Sequence, residues 1–110
     1  MPNFETVAGA QRTPIAKYTE LERNRSMSAG VYVIPAGASD PQSPHLEDEL
    51  YFVVRGSGRF HLGSTSRTVE AGDVLFVPAR ETHRFSDVEP ELVLLVAFAP
   101  PETSSGDASK

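Results

Sequence analysis

Cysteine does not occur in this chain, which removes disulfides, zinc–thiolate sites and thiol nucleophiles from its available chemistry. Positive charge is scarce as well. Ten Lys and Arg stand against fifteen Asp and Glu, a formal charge of −5, and no basic stripe offers the clustered cations that a phosphate backbone requires. A nucleic-acid partner is therefore not expected. Arg23 and Arg25, beside Glu22 in "LERNRS", read as a solvated turn. Long apolar runs are missing too: the longest, "LVLLVAFA" at 92–99, is far short of the ~20 residues that span a bilayer and reads as a core strand. The N-terminal "MPNFETVAGAQRTP" has neither a basic start followed by an apolar core nor a cleavage site, so no secretory signal is read. The expected location is cytoplasmic, with no membrane partner.

What is present suits one compact domain. A length of 110 residues fits the commonest domain size, and the apolar fraction of 39% is that of a globular chain with a polar end. Residues 1–99 are expected to form the domain. The stretch 100–110, "PETSSGDASK" and the proline before it, is expected to be a disordered tail. Prolines and glycines divide the chain into segments too short for typical helices and rich in Val, Ile, Tyr and Phe, an all-β pattern. The predicted strands are Met27–Ile34, Glu49–Val54, Gly58–Leu62, Arg67–Glu70, Val74–Val77, His83–Ser86 and Leu92–Phe98, with weaker ones near Val7 and over Lys17–Leu21. Gly56-Ser57-Gly58, Gly63-Ser64-Thr65-Ser66 and Ala71-Gly72-Asp73 carry turn chemistry. Many short antiparallel strands joined by such turns imply a sandwich or a small antiparallel β-barrel.

The stretch "PHLEDELYFVVRG" places His45, Glu47, Asp48 and Glu49 at the mouth of an apolar strand. Residues two apart share a strand face, so His45, Glu47, Glu49, Tyr51 and Val53 point one way and Phe52 and Val54 the other. His83 follows the strand "DVLFVP" and the turn "ARET", which is ample chain to bring it beside His45 and Glu49. Two imidazoles and a carboxylate match the ligand set of open facial-triad centres for Fe(II), Mn, Ni, Co or Zn. Without an ion, a buried Glu49 would be costly unless it were neutral. The competing reading makes all of these surface turn residues.

"GASDPQSPHLEDELYFVVRG" resembles the first motif of the cupin superfamily, G-x5-H-x-H-x(3,4)-E-x6-G. Gly37, His45, Glu49 and Gly56 fall on motif positions, and Ser43 stands where the first histidine is usual. "GDVLFVPARETHRFSD" resembles the second motif, G-x5-P-x-G-x2-H-x3-N, through Gly72, Pro78 and His83, with Arg80 in place of the inner glycine and Asp87 in place of asparagine. The resemblance implies a jelly-roll barrel and a divalent metal ion. The ligands it carries onto this chain are His45, Glu49 and His83, with the vacated position left to water, substrate, Gln42 or Glu47.

The function implied by the resemblance is a small metal-binding cupin, a dioxygenase-type metalloenzyme acting on a small organic substrate. Two alternatives stand beside it. One is a non-catalytic module that binds a small, sugar-like molecule; the other is a metal-free isomerase or epimerase with His45 or His83 as base and Tyr51 as acid. A homodimer is also expected by resemblance, and the 92–99 strand and the outward Phe52 and Val54 suit such a contact or a sheet-to-sheet core equally. His61 reads as an exposed strand histidine, Tyr51 as a cavity or core residue, and Arg80 as a solvated loop residue or an anion contact at the barrel mouth.

Overall fold

A computed structural model describes residues 2–11, 14–40, 42 and 44–103. Ser43 and residues 104–110 lie outside the described residues. The elements are helix α1 (Phe4–Ala10) and strands β1 (Lys17–Arg23), β2 (Ser28–Pro35), β3 (Asp48–Leu62), β4 (Thr65–Glu70), β5 (Val74–Val77) and β6 (His83–Ala99). All strand pairs are antiparallel, in the order β1-β2-β6-β3-β4, with β5 also paired to β3. This is the jelly-roll arrangement expected of the sequence.

Two long strands organise it. The predicted pairs Glu49–Val54 with Gly58–Leu62, and His83–Ser86 with Leu92–Phe98, are each one continuous strand. The glycines at 56 and 58 bend β3 rather than ending it. The register between β3 and β6 shifts repeatedly between Val53 and Arg59, the mark of bulges, which increase bend and twist without breaking the sheet. Gly56 sits at φ +90, and a Cβ there would overlap the carbonyl oxygen of Glu91. The first half of β3 consequently pairs with β5 and the C-terminal part of β6, whereas its second half pairs with β4 and the start of β6.

Alternation along these strands fills the interior with Tyr32, Ile34, Tyr51, Val53, Phe60, Val69, Leu75, Val77, Phe85, Leu92, Leu94, Val96 and Phe98. A smaller cluster lies on the other face of β2 and β6, where Val31, Val33 and Val93 meet Ala8 of α1, with Phe4, Val7, Leu21 and Val54 packed around them. The region of Val7 is thus helical and not a strand. Asn3 caps it by accepting from Thr6 N at 3.0 Å, Glu5 stands in its first turn, and burying Ala8, with Val7 packed beside it, against the sheet completes a helix too short to persist alone. The same packing half-covers Val54, which strand parity places on an open face.

Pro100–Thr103 differ from the expected disorder. Glu102 is buried; its backbone N donates to Ser28 Oγ at 3.0 Å and its carbonyl accepts from Arg23 Nη2 at 2.7 Å. Thr103 is bound to Glu47 through both its N and its hydroxyl, at 3.1 and 2.6 Å. Composition hid this, because the contacts are polar and each partner is distant in sequence. No helix among the described residues is long and apolar enough to cross a membrane.

Candidate metal centre

β3 delivers its first residues to the inside of the barrel by simple parity. His45, Glu47, Glu49, Tyr51 and Val53 are buried and Leu46, Asp48, Leu50 and Phe52 exposed, so the alternation runs through the bend that precedes the strand. Glu49 pairs with Val77 at the end of β5, and the connection 78–82 turns back from there to open β6 at His83. That connection is fastened to the segment before β3 at two points: Asp48 Oδ1 accepts from Ala79 N at 2.9 Å, and the His45 carbonyl accepts from Arg80 N. Arg80 itself is exposed and sits at φ +70, the left-handed conformation that a glycine would adopt without strain.

These devices bring His45, Glu49 and His83 together. One ligand atom from each lies within 4.8 Å of the other two; Glu49 Oε1 is 3.0 Å from His83 Nε2 and 3.6 Å from His45 Nε2. All three residues are buried, Glu49 to 1% exposure. Both Glu49 oxygens and His83 Nε2 lack a properly aligned hydrogen bond despite that burial. Buried polar atoms are ordinarily bonded, and three converging atoms left without partners form a donor set suited to a cation.

The surroundings orient the set. His83 Nδ1 donates to the Glu81 carbonyl at 3.0 Å, which fixes the proton on that nitrogen and turns the Nε2 lone pair inward, as metal-bound histidines are commonly held. The His45 ring lies 5.2 Å from that of His83 and edge-on to Phe98, and Tyr51 flanks His83 at 6.1 Å. Burial alone would lower the His83 pKa; the adjacent Glu49 carboxylate outweighs it, helped by the Glu81 carbonyl and Asp40, and the net shift is upward. Burial, then the charges of Glu49 and Asp40, hold the Tyr51 hydroxyl well above its ordinary value.

Other sequence-predicted residues fall elsewhere. Glu47 is buried but holds Thr103 and is not part of the converging set. Gln42 is bonded on both sides, from Nε2 to Asp40 Oδ2 at 2.8 Å and from Tyr51 OH to its Oε1 at 3.0 Å. His61 is half-buried, its Nε2 2.7 Å from Ser86 Oγ, and so is more enclosed than expected. Sequence reasoning assigned no role to Asp40, a buried carboxylate that accepts from Tyr32 OH, Gln42 Nε2 and Phe85 N. An aspartate in an irregular loop carries no periodic signal that would reveal it.

Residues 30–98 match a family model described as Cupin domain. The uncharacterised protein SCO3923 of Streptomyces coelicolor is 42% identical over 86 residues, covering 78% of this chain and 82% of the relative. Acireductone dioxygenase of Saccharopolyspora erythraea is 33% identical over 117 residues, covering 88% of this chain; the match takes in 60% of that enzyme, so the chain spans less than two thirds of its length. Among solved structures, TT1209 from Thermus thermophilus aligns with a TM-score of 0.79 at 18% identity, over 92% of this chain and 97% of that one, which is a likeness of fold.

Proposed function

The chain belongs to the cupin domain family, and on that footing we propose that it is a metal-dependent cupin whose single divalent ion is held by His45, Glu49 and His83. The observation that carries this reading is the convergence of buried Glu49 oxygens and His83 Nε2 without hydrogen-bond partners. Iron, manganese, nickel, cobalt and zinc all suit two imidazoles and one carboxylate. A bound ion would supply Lewis acidity and open positions for a small organic ligand.

The likeness to a relative named acireductone dioxygenase supports dioxygenase-type chemistry on a small oxygen-bearing substrate. In that chemistry the chain's own groups have separate tasks. His83, its Nδ1 proton committed to Glu81, serves as a neutral donor. Glu49 supplies one negative charge and so reduces the net charge of the centre. Tyr51, Phe85 and Phe98, packed around the histidines or each other, exclude water. The protein would work in the cytoplasm as a homodimer formed through the outer face of β5, β3 and β6, where Leu50, Phe52, Val74, Phe76 and Leu95 are exposed.

Metal analysis of the purified protein beside its His45→Ala and His83→Ala variants tests the site. Stoichiometric metal in the parent and loss in both variants is the expected result, and retention in both would refute the ligand assignment. Oxygen uptake by the metal-loaded protein with diols, diketones and thiols then tests the chemistry. Metal without turnover on any of them would favour a binding module.

A further inference from the structure

The Tyr51 hydroxyl has one proton and two acceptors on its side of the strand. It donates to Gln42 Oε1 at 3.0 Å, and Glu49 lies two residues away on the same buried face of β3. If the proton went to Glu49, it would occupy one of the oxygens on which the proposed centre depends. Which acceptor receives it depends on the orientation of the Gln42 amide, whose oxygen accepts and whose nitrogen only donates.

Asp40 sets that orientation. Its carboxylate is buried and meets donors at both oxygens: Tyr32 OH at Oδ1, and Gln42 Nε2 (2.8 Å) and Phe85 N (2.7 Å) at Oδ2. A carboxylate so placed accepts only, so the Gln42 nitrogen must face it and the Gln42 oxygen must face Tyr51. The reverse amide would set oxygen against oxygen at Asp40 and nitrogen against the Tyr51 proton. Phe85 N belongs to β6 two residues beyond His83, so the relay of bonds is anchored on strand backbone.

We propose that Asp40 and Gln42 act as positioning residues that draw the Tyr51 proton away from Glu49 and keep both carboxylate oxygens available to a cation. This rests on the reading of His45, Glu49 and His83 as the metal centre. It gives a purpose to a buried carboxylate and a half-buried amide that stand outside the converging set of three. It also makes the contribution of Tyr51 conditional. With Gln42 in place its hydroxyl is neutral toward metal binding; without Gln42 it competes for Glu49.

The test is a double-mutant cycle read by titration of the chelator-stripped protein with Zn(II) or Mn(II). Gln42→Met keeps the volume and removes both hydrogen bonds, and should weaken binding by about 10-fold, the lower end for loss of an outer-shell partner. Tyr51→Phe alone should change affinity less than about 3-fold, and adding it to Gln42→Met should return affinity to within that range of the parent. A merely structural role for Gln42 predicts the opposite, because removing the buried hydroxyl as well would then deepen the defect. Unchanged affinity in Gln42→Met, or a defect that Tyr51→Phe fails to rescue, overturns the proposal. Thermal unfolding of the stripped variants identifies any that fail to fold, and Asp40→Asn with and without Tyr51→Phe then provides the same cycle one bond further out. A parent protein whose binding is insensitive to His83→Ala would refute the metal centre itself, an outcome distinct from all of these.

Discussion

At the scale of single residues, the acidic cluster before β3 resolves into separate assignments. Glu47 binds Thr103, Asp48 fastens the connection that leads to His83, and Glu49 turns inward between two histidines. Because Glu49 is what raises the His83 pKa in the metal-free protein, Glu49→Gln should lower it, and NMR titration of the ring in chelator-treated protein reads the shift. The sign for stability follows from linkage. A histidine raised in the fold stabilises below its unfolded value near 6.5, and that contribution fades as pH rises through the folded value. Glu49→Gln should therefore flatten the pH dependence of metal-free stability just above pH ~6.5. His45, Glu49 and His83 are legible in sequence because strand parity sends 45 and 49 to one face and a strand and turn of suitable length separate them from 83. Asp40 and the bonded state of Gln42 are not, since both arise from contacts between an irregular loop and distant strands.

At the scale of elements, most of the strands can be read from β-branched and aromatic runs. The departures have a common origin. Glycines at 56 and 58 read as a break, yet Gly56 is a bend inside β3, required where the Glu91 carbonyl leaves no room for a Cβ. A glycine that ends a strand and one that lets two backbones approach look alike until the partner strand is known. Val7 misleads for a related reason, because its helix depends on the Asn3 cap and on a sheet surface that only the fold supplies. Gly56→Ala should destabilise by at least about 2 kcal/mol, combining left-handed strain with overlap. Denaturant midpoints at unchanged m-value would show it, and a loss below about 0.5 kcal/mol would mean that the bend tolerates a side chain.

At the scale of the whole molecule, the interior holds phenols that cannot ionise without water. Tyr32 is raised by burial, then by the charge of Asp40 and its hydrogen bond to it, and Tyr51 by burial, then by Glu49 and Asp40. Both folded values lie above the unfolded value near 10, so their stabilising effect is intact below that pH and is lost above it. Stability should fall by about 1.4 kcal/mol per pH unit for each, or roughly 3 for the pair. Tyr32→Phe should remove one proton from the slope of alkaline unfolding followed by circular dichroism. The outer sheet face makes a separate prediction. Leu50 pairs with Phe76 and Phe52 with Val74, and on the other side Phe52 pairs with Leu95, so the exposed apolar side chains form one continuous surface of the kind that marks association sites. If a second copy covers it, Phe76→Glu should convert a dimer to a monomer in sedimentation equilibrium; a parent monomeric at high concentration would exclude the dimer.

β6 runs unbroken from His83 to Ala99 and borders both halves of the bent β3. The two ends of the barrel therefore cannot part like the leaves of a book. The connections that precede β3 and β6 are the stretches that carry His45 and lead into His83. In the proposed centre, entry of a ligand and its binding would therefore involve the same two connections.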